Sequence, residues 1–523
     1  MMTINDKVTG KIEQIVGSKR ILTSPEDLYV YSFETIFEEP AYSNFDLVVK
    51  ATSENEIIQI EKLAKEEGFV VVRRGRNADL RELDKMKRYG GIILDTAPLP
   101  DITAFDERLN ERAREIEEAR RKLNKTMRSV ERSPKNLASV IEALFLDKMI
   151  LQCRDCKVCT GYCTVSPSFN HVETWSAKGR YLLTRGFMRG DLKPSRKLAD
   201  IFYSCTLCGL CYIQCIRDQR LHEAILETRG KIAEIGLAPE PTQVILKNVL
   251  KYGNPMGSPT DLRLRWMKKL PKNLVKEKAD VLYWVGCNTA LRSGVRATAV
   301  ATVHVLEKAD VGVMTLGEKE GCCGIPIMFG GFFDDAKRNA KEVVKIIKEA
   351  GVETLVTSCS GCYETFIDFY PKKLGVEMPC EVLHTSQLVE RLLDESMLEP
   401  NSLEMRVSYH DPCGLGRHCG VYDPPRNLLR SIPGLRLVDP VYSRERSRCC
   451  GGGGGFWEVN SGASMSLAHS RITGDIMPLH IDALAVACPL CYTNFLYTSV
   501  RHSIGIKIYD IMEIMEMALR NGD

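Results

Sequence analysis

The chain of 523 residues is too long for one hydrophobic core, and its length predicts roughly three or four domains. Its 71 basic and 68 acidic residues leave a net charge of +3, which does not indicate a nucleic-acid groove or a polyanionic partner. The N-terminal segment lacks a secretory pattern, and no stretch approaches the roughly 20 apolar residues that cross a bilayer. We therefore expect a cytoplasmic protein that has no transmembrane segment and can reach the inner face of a membrane only through a partner.

The first hundred residues predict a small α/β unit. Residues 46–51, 69–73 and 92–95 have the composition of strands, and Ser53 with Glu56 has the pattern of a capping box. Residues 101–135 are highly charged and carry apolar residues at a spacing of seven. This stretch predicts a long amphipathic helix that connects two domains or pairs with a partner helix.

Twenty cysteines in a reducing compartment predict metal ligands rather than disulfides. Two runs share the spacing of bacterial ferredoxins, in which three cysteines hold one [4Fe-4S] cube and the fourth reaches the other cube. We expect a helical domain over residues 136–262 with two cubane clusters, although the usual proline after each run is absent. Four-cysteine zinc sites are the alternative, but two uninterrupted runs favour iron and sulfur. The expected ligands are Cys153, Cys156, Cys159 and Cys215 for one cube, and Cys205, Cys208, Cys211 and Cys163 for the other.

A second cysteine pattern occurs twice, with an adjacent pair between a single upstream cysteine and a downstream pair. Corresponding positions are 126, 127 or 129 residues apart, which identifies an internal repeat. Buried-type strands precede several of these cysteines, as expected for α/β sheets that gather ligands at the carboxyl ends of their strands. We therefore predict an α/β protein overall, with two tandem modules over residues 263–400 and 401–523. The cysteines are Cys287, Cys322, Cys323, Cys359 and Cys362 in the first module, and Cys413, Cys449, Cys450, Cys488 and Cys491 in the second.

Other residues beside these cysteines have candidate roles. Gly324, Gly451 and Gly452 follow the adjacent pairs and are expected to let the backbone approach a cluster and offer it N–H groups; a flexible loop is the alternative. His410 could donate a proton to a leaving thiolate or orient the loop before Cys413. Cys380 and Cys419 are interpreted as ordinary thiols. Trp284 and Trp457 are interpreted as core or cluster-shielding residues.

The repeated pattern resembles the cysteine-rich CCG domain of heterodisulfide reductases, of glycolate and lactate oxidase iron–sulfur subunits, and of a related reductase linked to dissimilatory sulfite reduction. The resemblance covers residues from about 136 to the end, in the order of the fused heterodisulfide reductase catalytic subunit. It implies that each complete module holds a noncubane [4Fe-4S] cluster through its five cysteines and that all ten cysteines are catalytic. Both modules are complete, which favours the branch that handles disulfides.

Residues 22–95 resemble the start of the FAD-binding domain of D-lactate and glycolate dehydrogenases. That family binds the FAD pyrophosphate with a glycine-rich loop, whereas here Gly75 is followed by residues 76–80 with the sequence RNADL. Side chains and an acidic group at this place would obstruct a diphosphate. We therefore expect residues 1–100 to be a degenerate unit that does not bind FAD and serves as a docking surface or structural cap.

Two functions are compatible with these patterns. The first is a heterodisulfide reductase-type subunit that passes electrons from the ferredoxin-type clusters to the noncubane clusters, which reduce or form a small-molecule disulfide. The second is an electron-transfer subunit between a flavoprotein, such as a 2-hydroxyacid dehydrogenase or an electron-transfer flavoprotein, and a membrane cytochrome or quinone carrier. Both require a redox partner subunit and no nucleic acid. A zinc-bound scaffold is the third interpretation.

Overall fold

The computed structural model describes residues 4, 6–32, 45–74, 91–96, 158–215, 219–271 and 273–520. The helix predicted over residues 101–135, Cys153, Cys156 and the loop after Gly75 lie outside these residues. The chain divides into two compact units. The first comprises Met1–Ser166, His171–Leu198 and Gln214–Ala224, and the second comprises Pro167–Asn170, Ala199–Ile213 and Ile225–Asp523. The domain boundaries expected near residues 136, 263 and 401 stay predictions.

The first unit contains a four-stranded sheet. Its strands are β1 (Ile21–Leu22), β2 (Leu47–Lys50), β3 (Val71–Arg74) and β4 (Ile92–Asp95), in the order β1-β2-β4-β3. Strands β2, β3 and β4 run parallel, and β1 pairs antiparallel with β2. The three strands predicted here are present, which follows from apolar runs that fill the buried centre of the sheet. Among the described residues up to 234, the α-helices are Asp6–Val16, Pro25–Tyr31, Glu54–Glu67, Val158–Gly161, Ala177–Arg189, Arg196–Tyr203, Leu210–Ile213 and Leu221–Glu234.

The helix Glu54–Glu67 shows how local sequence sets an element. The Ser53 side chain accepts the backbone N–H of Glu56, as the capping pattern predicts. The Glu56 carboxylate accepts the N–H of Thr52 at 2.7 Å, one residue before the expected partner. Gly68 ends the helix in the left-handed conformation, where a residue without a Cβ is favoured.

A buried ionic cluster lies within the first unit. The Glu173 carboxylate is 2.7 Å from a guanidinium nitrogen of Arg74 and 2.9 Å from Lys178 Nζ. The Arg74 guanidinium also lies 4.6 Å from the ring centroid of Tyr31, whose hydroxyl accepts the N–H of Glu173. Burial raises the pKa of Tyr31 well above its usual value, which keeps this phenol neutral. The cluster joins the sheet to the segment around Glu173 within the unit.

The second unit contains two parallel sheets. Strands β5 (Val275–Lys276), β6 (Val281–Trp284), β7 (Val313–Met314), β8 (Thr354–Thr357) and β9 (Glu381–His384) have the order β5-β7-β6-β8-β9. Strands β10 (Met405–Tyr409), β11 (Leu435–Leu437), β12 (Ala483–Val486) and β13 (Lys507–Asp510) have the order β11-β10-β12-β13. Every pairing is parallel, which agrees with the predicted α/β class.

Helices connect these strands. The α-helices from residue 240 are Glu240–Tyr252, Cys287–Leu291, Arg296–Lys308, Ile325–Phe329, Phe333–Ala350, Ser360–Glu364, Thr385–Asp394, Asp423–Arg430, Phe456–Val459, Ser461–Arg471, Pro489–Arg501 and Ile511–Arg520. The π-helical turns are Thr365–Leu374, Gly414–His418 and Ile472–Ile476. In the part of the chain that the structure describes, the 3-10 helices are Ser18–Arg20, Ser166–Phe169, Glu173–Trp175, Thr260–Lys269, Ser293–Val295, Gly317–Lys319, Arg444–Arg446 and Met477–Leu479.

The two parallel sheets share one hydrophobic core. The helix Arg296–Lys308, which follows β6, packs against the helix Ile511–Arg520, which follows β13. Val303 and Ile514 are fully buried in this core. Because apolar burial contributes about 25 cal/mol per Å², the shared core fixes one sheet against the other. Among the described residues, no helix combines the length and the apolar character needed to span a bilayer.

The ionic cluster gives a stability prediction. Glu173→Ala leaves Arg74 and Lys178 buried without their shared carboxylate, so we expect the free energy of unfolding to fall by about 3–5 kcal/mol. Denaturant unfolding checks this value. Glu234→Ala, which removes the exposed partner of Lys231, is the matched control and should leave the midpoint unchanged. Equal effects of the two substitutions would contradict a structural role for the cluster.

Candidate iron–sulfur centre

The cysteines of both modules follow the carboxyl ends of strands. Cys287 begins a helix shortly after β6, and Cys359 follows β8 directly. In the second sheet, Cys413 and Cys488 occupy the corresponding places after β10 and β12. Parallel strands place their carboxyl ends at the same edge of a sheet. Each module therefore presents cysteines from separate parts of the sequence at one edge.

The five thiols of the first module form a connected group. The thiols are neighbours in the order Cys287, Cys322, Cys323, Cys362 and Cys359. Four of these residues are buried and Cys359 is half-buried. The structure thus brings together all five cysteines that the repeat predicts for this module.

The five thiols of the second module form an equivalent group. The thiols are neighbours in the order Cys413, Cys449, Cys450, Cys491 and Cys488. Cys413 is half-buried and the others are buried. The adjacent pair lies in the middle of the group, as the first pair does in its own module. The sequence repeat is therefore also a structural repeat.

The two groups are in contact, and a ferredoxin-type cysteine extends them. The Cys359 thiol of the first module is a neighbour of the Cys488 thiol of the second. At the far end, the Cys208 thiol is a neighbour of the Cys449 thiol. We call the resulting series the thiol chain. It consists of Cys287, Cys322, Cys323, Cys362, Cys359, Cys488, Cys491, Cys450, Cys449, Cys413 and Cys208.

In four thiols of the chain, Cys323, Cys449, Cys450 and Cys488, two neighbouring thiols lower the pKa. Hydrogen bonds from Cys322 and Cys362 hold the pKa of Cys323 well below its usual value. Bonds from Cys449 and Cys491 do the same for Cys450, and bonds from Cys359 and Cys491 for Cys488. A thiolate, and not a thiol, is the form that binds a metal. The geometry therefore favours the ligand form at these four positions, whereas neighbouring thiols and burial raise the pKa of Cys208, Cys322, Cys362, Cys413 and Cys491.

An ion pair that the sequence does not reveal lies beside the first group. Arg263 Nη2 is 3.2 Å from Cys287 Sγ, and Arg263 Nη1 is 2.9 Å from the Glu320 carboxylate. Both side chains are almost fully buried. Glu320 also accepts the N–H groups of Val285 and Gly286 at 2.9 Å each. In the sequence Arg263 belongs to a basic stretch, which indicates a solvated surface and gives no signal of this contact.

A second arginine lies beside the other group. Arg417 Nε donates to the Cys208 carbonyl at 2.6 Å, and its Nη1 donates to the carbonyls of Ser447 and Glu445 at 2.5 and 3.3 Å. These bonds join the cysteine run of residues 205–211 to the loop that carries Cys449. No motif in the sequence identifies Arg417, because its partners are 28 to 209 residues away.

Arg229 fixes the same cysteine run from another side. This fully buried guanidinium donates to the carbonyls of Phe202, Cys205, Phe329 and Gly454, at distances from 2.5 to 3.1 Å. It therefore ties the turn at Cys205 to both modules. Because buried charges need hydrogen-bond partners, the five bonds offset much of the cost of desolvating it.

The glycines after the adjacent pairs act through their backbones. The N–H of Gly324 donates to Cys322 Sγ at 3.4 Å, and those of Gly451 and Gly452 donate to Cys449 and Cys450 Sγ at 3.3 Å each. Gly451 has φ +85°, and a Cβ there would lie 2.4 Å from the Ser464 carbonyl oxygen. N–H donation to sulfur stabilises thiolates.

Two histidines lie near the thiols. His410 Nδ1 is buried without a hydrogen-bond partner among the described residues, and the ring lies within metal-ligand range of Cys450 and Cys491. Burial, with a contribution from Arg471, lowers the pKa of His410 to about 3, so its imidazole is neutral at pH 7. His418 is hydrogen-bonded through Nδ1 to the Glu364 carboxylate of the first module.

A cavity of about 230 Å³ opens beside the junction of the two groups. Five cysteines contribute to its wall, together with Glu364 and His418, and most of the remaining wall is apolar. Polar and ionic interactions are strong in such a poorly solvated place. The five cysteines are Cys359, Cys413, Cys450, Cys488 and Cys491.

Other predicted residues have distinct positions. Cys159, Cys163 and Cys215 are described in the first unit, and Cys205, Cys208 and Cys211 in the second, so the assignment of eight cysteines to two cubes stays a prediction. Cys380 and Cys419 are half-buried and do not belong to the thiol chain. Trp284 is buried against Phe366, and the Trp457 ring contacts the Tyr497 ring.

Comparisons with known proteins identify the class of protein. A cysteine-rich domain model, CCG, matches residues 281–367 and 407–496, and a 4Fe-4S dicluster domain model matches residues 110–218. The chain is therefore an iron–sulfur protein with two CCG domains. It is 30% identical to a subunit of the dihydromethanophenazine:CoB–CoM heterodisulfide reductase of Methanosarcina acetivorans, over 74% of this chain and 96% of that protein. The chain belongs to the family of that reductase subunit.

Other relatives are oxidoreductases of different kinds. The probable iron–sulfur-binding oxidoreductase FadF of Bacillus subtilis is 29% identical over 61% of this chain and 47% of its own length. The EtfAB:quinone oxidoreductase of Syntrophomonas wolfei is 26% identical over 61% of this chain and 47% of its own length. These relatives support an iron–sulfur oxidoreductase role for the chain.

The glycine loop of the second module gives a test of the site geometry. Gly454 has φ +66°, and a Cβ there would lie 2.4 Å from the Thr206 carbonyl carbon. We expect Gly454→Ala to cost about 1–3 kcal/mol for its conformation alone and to displace the Cys205–Cys211 run further. Thermal unfolding and the visible iron–sulfur absorbance measure both effects. Gly474 has open space around it, so Gly474→Ala is the control and should leave both readings unchanged.

Proposed function

We propose that the chain is the iron–sulfur subunit of a heterodisulfide reductase-type enzyme that reduces or forms a small-molecule disulfide. The observation that carries this proposal is the contact between Cys359 and Cys488. It joins two complete sets of five thiols beside one cavity. A disulfide has two sulfur atoms, and both must be bound during the reaction. Two equivalent thiol sets beside one cavity fit this requirement.

The thiol groups fit iron–sulfur clusters by the chemistry of their donors. Tetrahedral zinc takes four ligands, whereas each module gathers five connected thiols with N–H donors to sulfur. We propose that the ten module cysteines hold two noncubane [4Fe-4S] clusters and that the ferredoxin-type cysteines hold two cubane clusters. When bound, such clusters supply electrons one at a time.

The reaction has a defined balance. Reduction of a disulfide breaks one S–S bond, consumes two electrons and two protons, and forms two thiols. The electrons would come from a redox partner subunit, either a flavoprotein or a membrane cytochrome or quinone subunit. The oxidation of two thiols is the same reaction in the opposite direction. The relatives named as subunits of larger enzymes support a role within a complex.

The chain's own side chains have separate tasks in this proposal. The apolar wall of the cavity excludes water from the reacting sulfurs, while His418 and Glu364 present a hydrogen-bonding pair to it. His410, neutral at pH 7, orients the Cys450 side of the site rather than supplying a proton as an imidazolium. Arg263 and the glycine N–H groups stabilise negative charge on sulfur.

A second function is an electron-transfer subunit between a flavoprotein and a membrane quinone carrier. The contact between Cys208 and Cys449 favours it, because it extends the thiol chain to the ferredoxin-type cysteines and a conductor needs such continuity. The similarity to an EtfAB:quinone oxidoreductase also supports it. Under either function we propose that the N-terminal sheet does not bind FAD and acts as a docking surface or cap.

The central cysteines provide the test of the disulfide reaction. Cys323→Ser and Cys450→Ser each remove the thiolate in the middle of one group, so we expect loss of disulfide turnover while the ferredoxin-type clusters stay reducible by dithionite. Cys380→Ser, outside the thiol chain, is the matched control and should retain turnover. Continued turnover in the two central variants would contradict the role assigned to these cysteines.

Metal analysis and titration separate the candidate functions. We expect anaerobically purified protein to contain iron and acid-labile sulfide at about sixteen atoms each, which is four [4Fe-4S] clusters. Dominant zinc would refute both redox functions. Titration with candidate disulfides and thiols, followed by electron paramagnetic resonance, should produce a thiol-dependent signal. A protein that only conducts electrons would give none and would instead reduce a quinone carrier.

A further inference from the structure

The two thiol groups differ in the charges beside them. The cation at the first group, Arg263, is neutralised by the buried Glu320, whose carboxylate lies 2.9 Å away. The cation at the second group, Arg417, donates to three carbonyl oxygens and has no carboxylate within 4.0 Å among the described residues. The Arg417 Nη2 is buried and has no hydrogen-bond partner among the described residues. The cation beside the first group is therefore paired with a carboxylate, whereas the cation beside the second group is not.

The Arg417 charge is directed at the thiols. The sulfurs of Cys208, Cys413 and Cys449 all interact electrostatically with this guanidinium. The neighbouring Glu445 is exposed and reaches Arg417 through its backbone carbonyl. In a poorly solvated place, a neighbouring cation stabilises added negative charge far more than it does in water. The Arg417 guanidinium also holds the Cys208 turn against the loop that carries Cys449.

We propose that Arg417 is a positioning residue that makes the second module the first of the two modules to accept an electron. This inference rests on the proposed presence of an iron–sulfur cluster in each module. The uncompensated guanidinium raises the reduction potential at the second module above that at the first. It also holds the Cys208 turn in contact with Cys449, so the ferredoxin-type run meets the site that is easier to reduce.

Stepwise reduction of the unmodified protein is the primary test. The protein is reduced in small potential steps, and its electron paramagnetic resonance signals are recorded at each step. The signal that Cys450→Ser eliminates belongs to the second module, and the one that Cys323→Ser eliminates belongs to the first. We expect the second-module signal to change at the higher potential. The reverse order, or equal midpoints, would overturn the inference.

Variants at Arg417 test the cause of the difference. Arg417→Gln removes the charge and should shift the second-module midpoint to lower potential, whereas Arg417→Lys keeps the charge and should retain most of the difference. The first-module midpoint should move in neither variant. Arg406→Gln, an exposed arginine of the same module, is the matched control and should shift no midpoint. An unchanged second-module midpoint in Arg417→Gln would overturn the role of Arg417.

The outcomes distinguish this inference from the function on which it rests. If iron and sulfide contents show that the modules hold no clusters, the proposed function fails, and the inference with it. If both module signals are present but their order is not as expected, the proposed function stands and the inference alone fails. If Arg417→Gln loses the second-module signal, the midpoints of Arg417→Lys are compared with those of the unmodified protein. Retention of most of the difference between the two modules supports the inference, and loss of that difference overturns it.

Discussion

The contact between Cys359 and Cys488 is the constraint on which the site depends. It requires the carboxyl ends of β8 and β12 to meet, although these strands belong to different sheets. Two short helical turns, Ser360–Glu364 and Gly414–His418, pack together next to it. Gly414 permits this approach, because a Cβ there would lie 2.6 Å from the Glu364 carboxylate. The shared core then keeps the two edges at a fixed separation.

Bringing many thiols together in a buried place has an electrostatic cost that the surrounding structure offsets. A thiolate in an apolar environment is destabilised unless hydrogen bonds or cations compensate it. Here the compensation comes from glycine N–H groups at Cys322, Cys449 and Cys450 and from two arginines. Gly324 and Gly451 adopt φ of +93° and +85°, which explains why glycines follow both adjacent pairs.

Sequence alone predicts the parts of this structure that depend on short-range patterns. The parallel strands are predictable because apolar runs are typical of buried strands, and Ser53 is predictable as a cap because its partner is three residues away. The membership of each five-thiol group is predictable from the duplicated spacing. The Arg263–Glu320 pair and the Arg417 contacts are not predictable, because their partners are brought close only by the tertiary fold. The domain boundaries and the cubane ligand sets stay predictions.

The repeat duplicates ligands without duplicating their surroundings. Arg263 precedes the first cysteine of its module, whereas Arg417 follows the first cysteine of the other, so the two cations do not occupy equivalent positions. Glu320 stands two residues before the adjacent pair in the first module, and Ser447 has that place in the second. The two modules therefore differ at one of the few positions that decide local charge. The first module has a carboxylate there, and the second has a hydroxyl. Under the proposed function, a disulfide takes up its two electrons in separate steps, and two similar sites with different charged neighbours would give each electron a defined place.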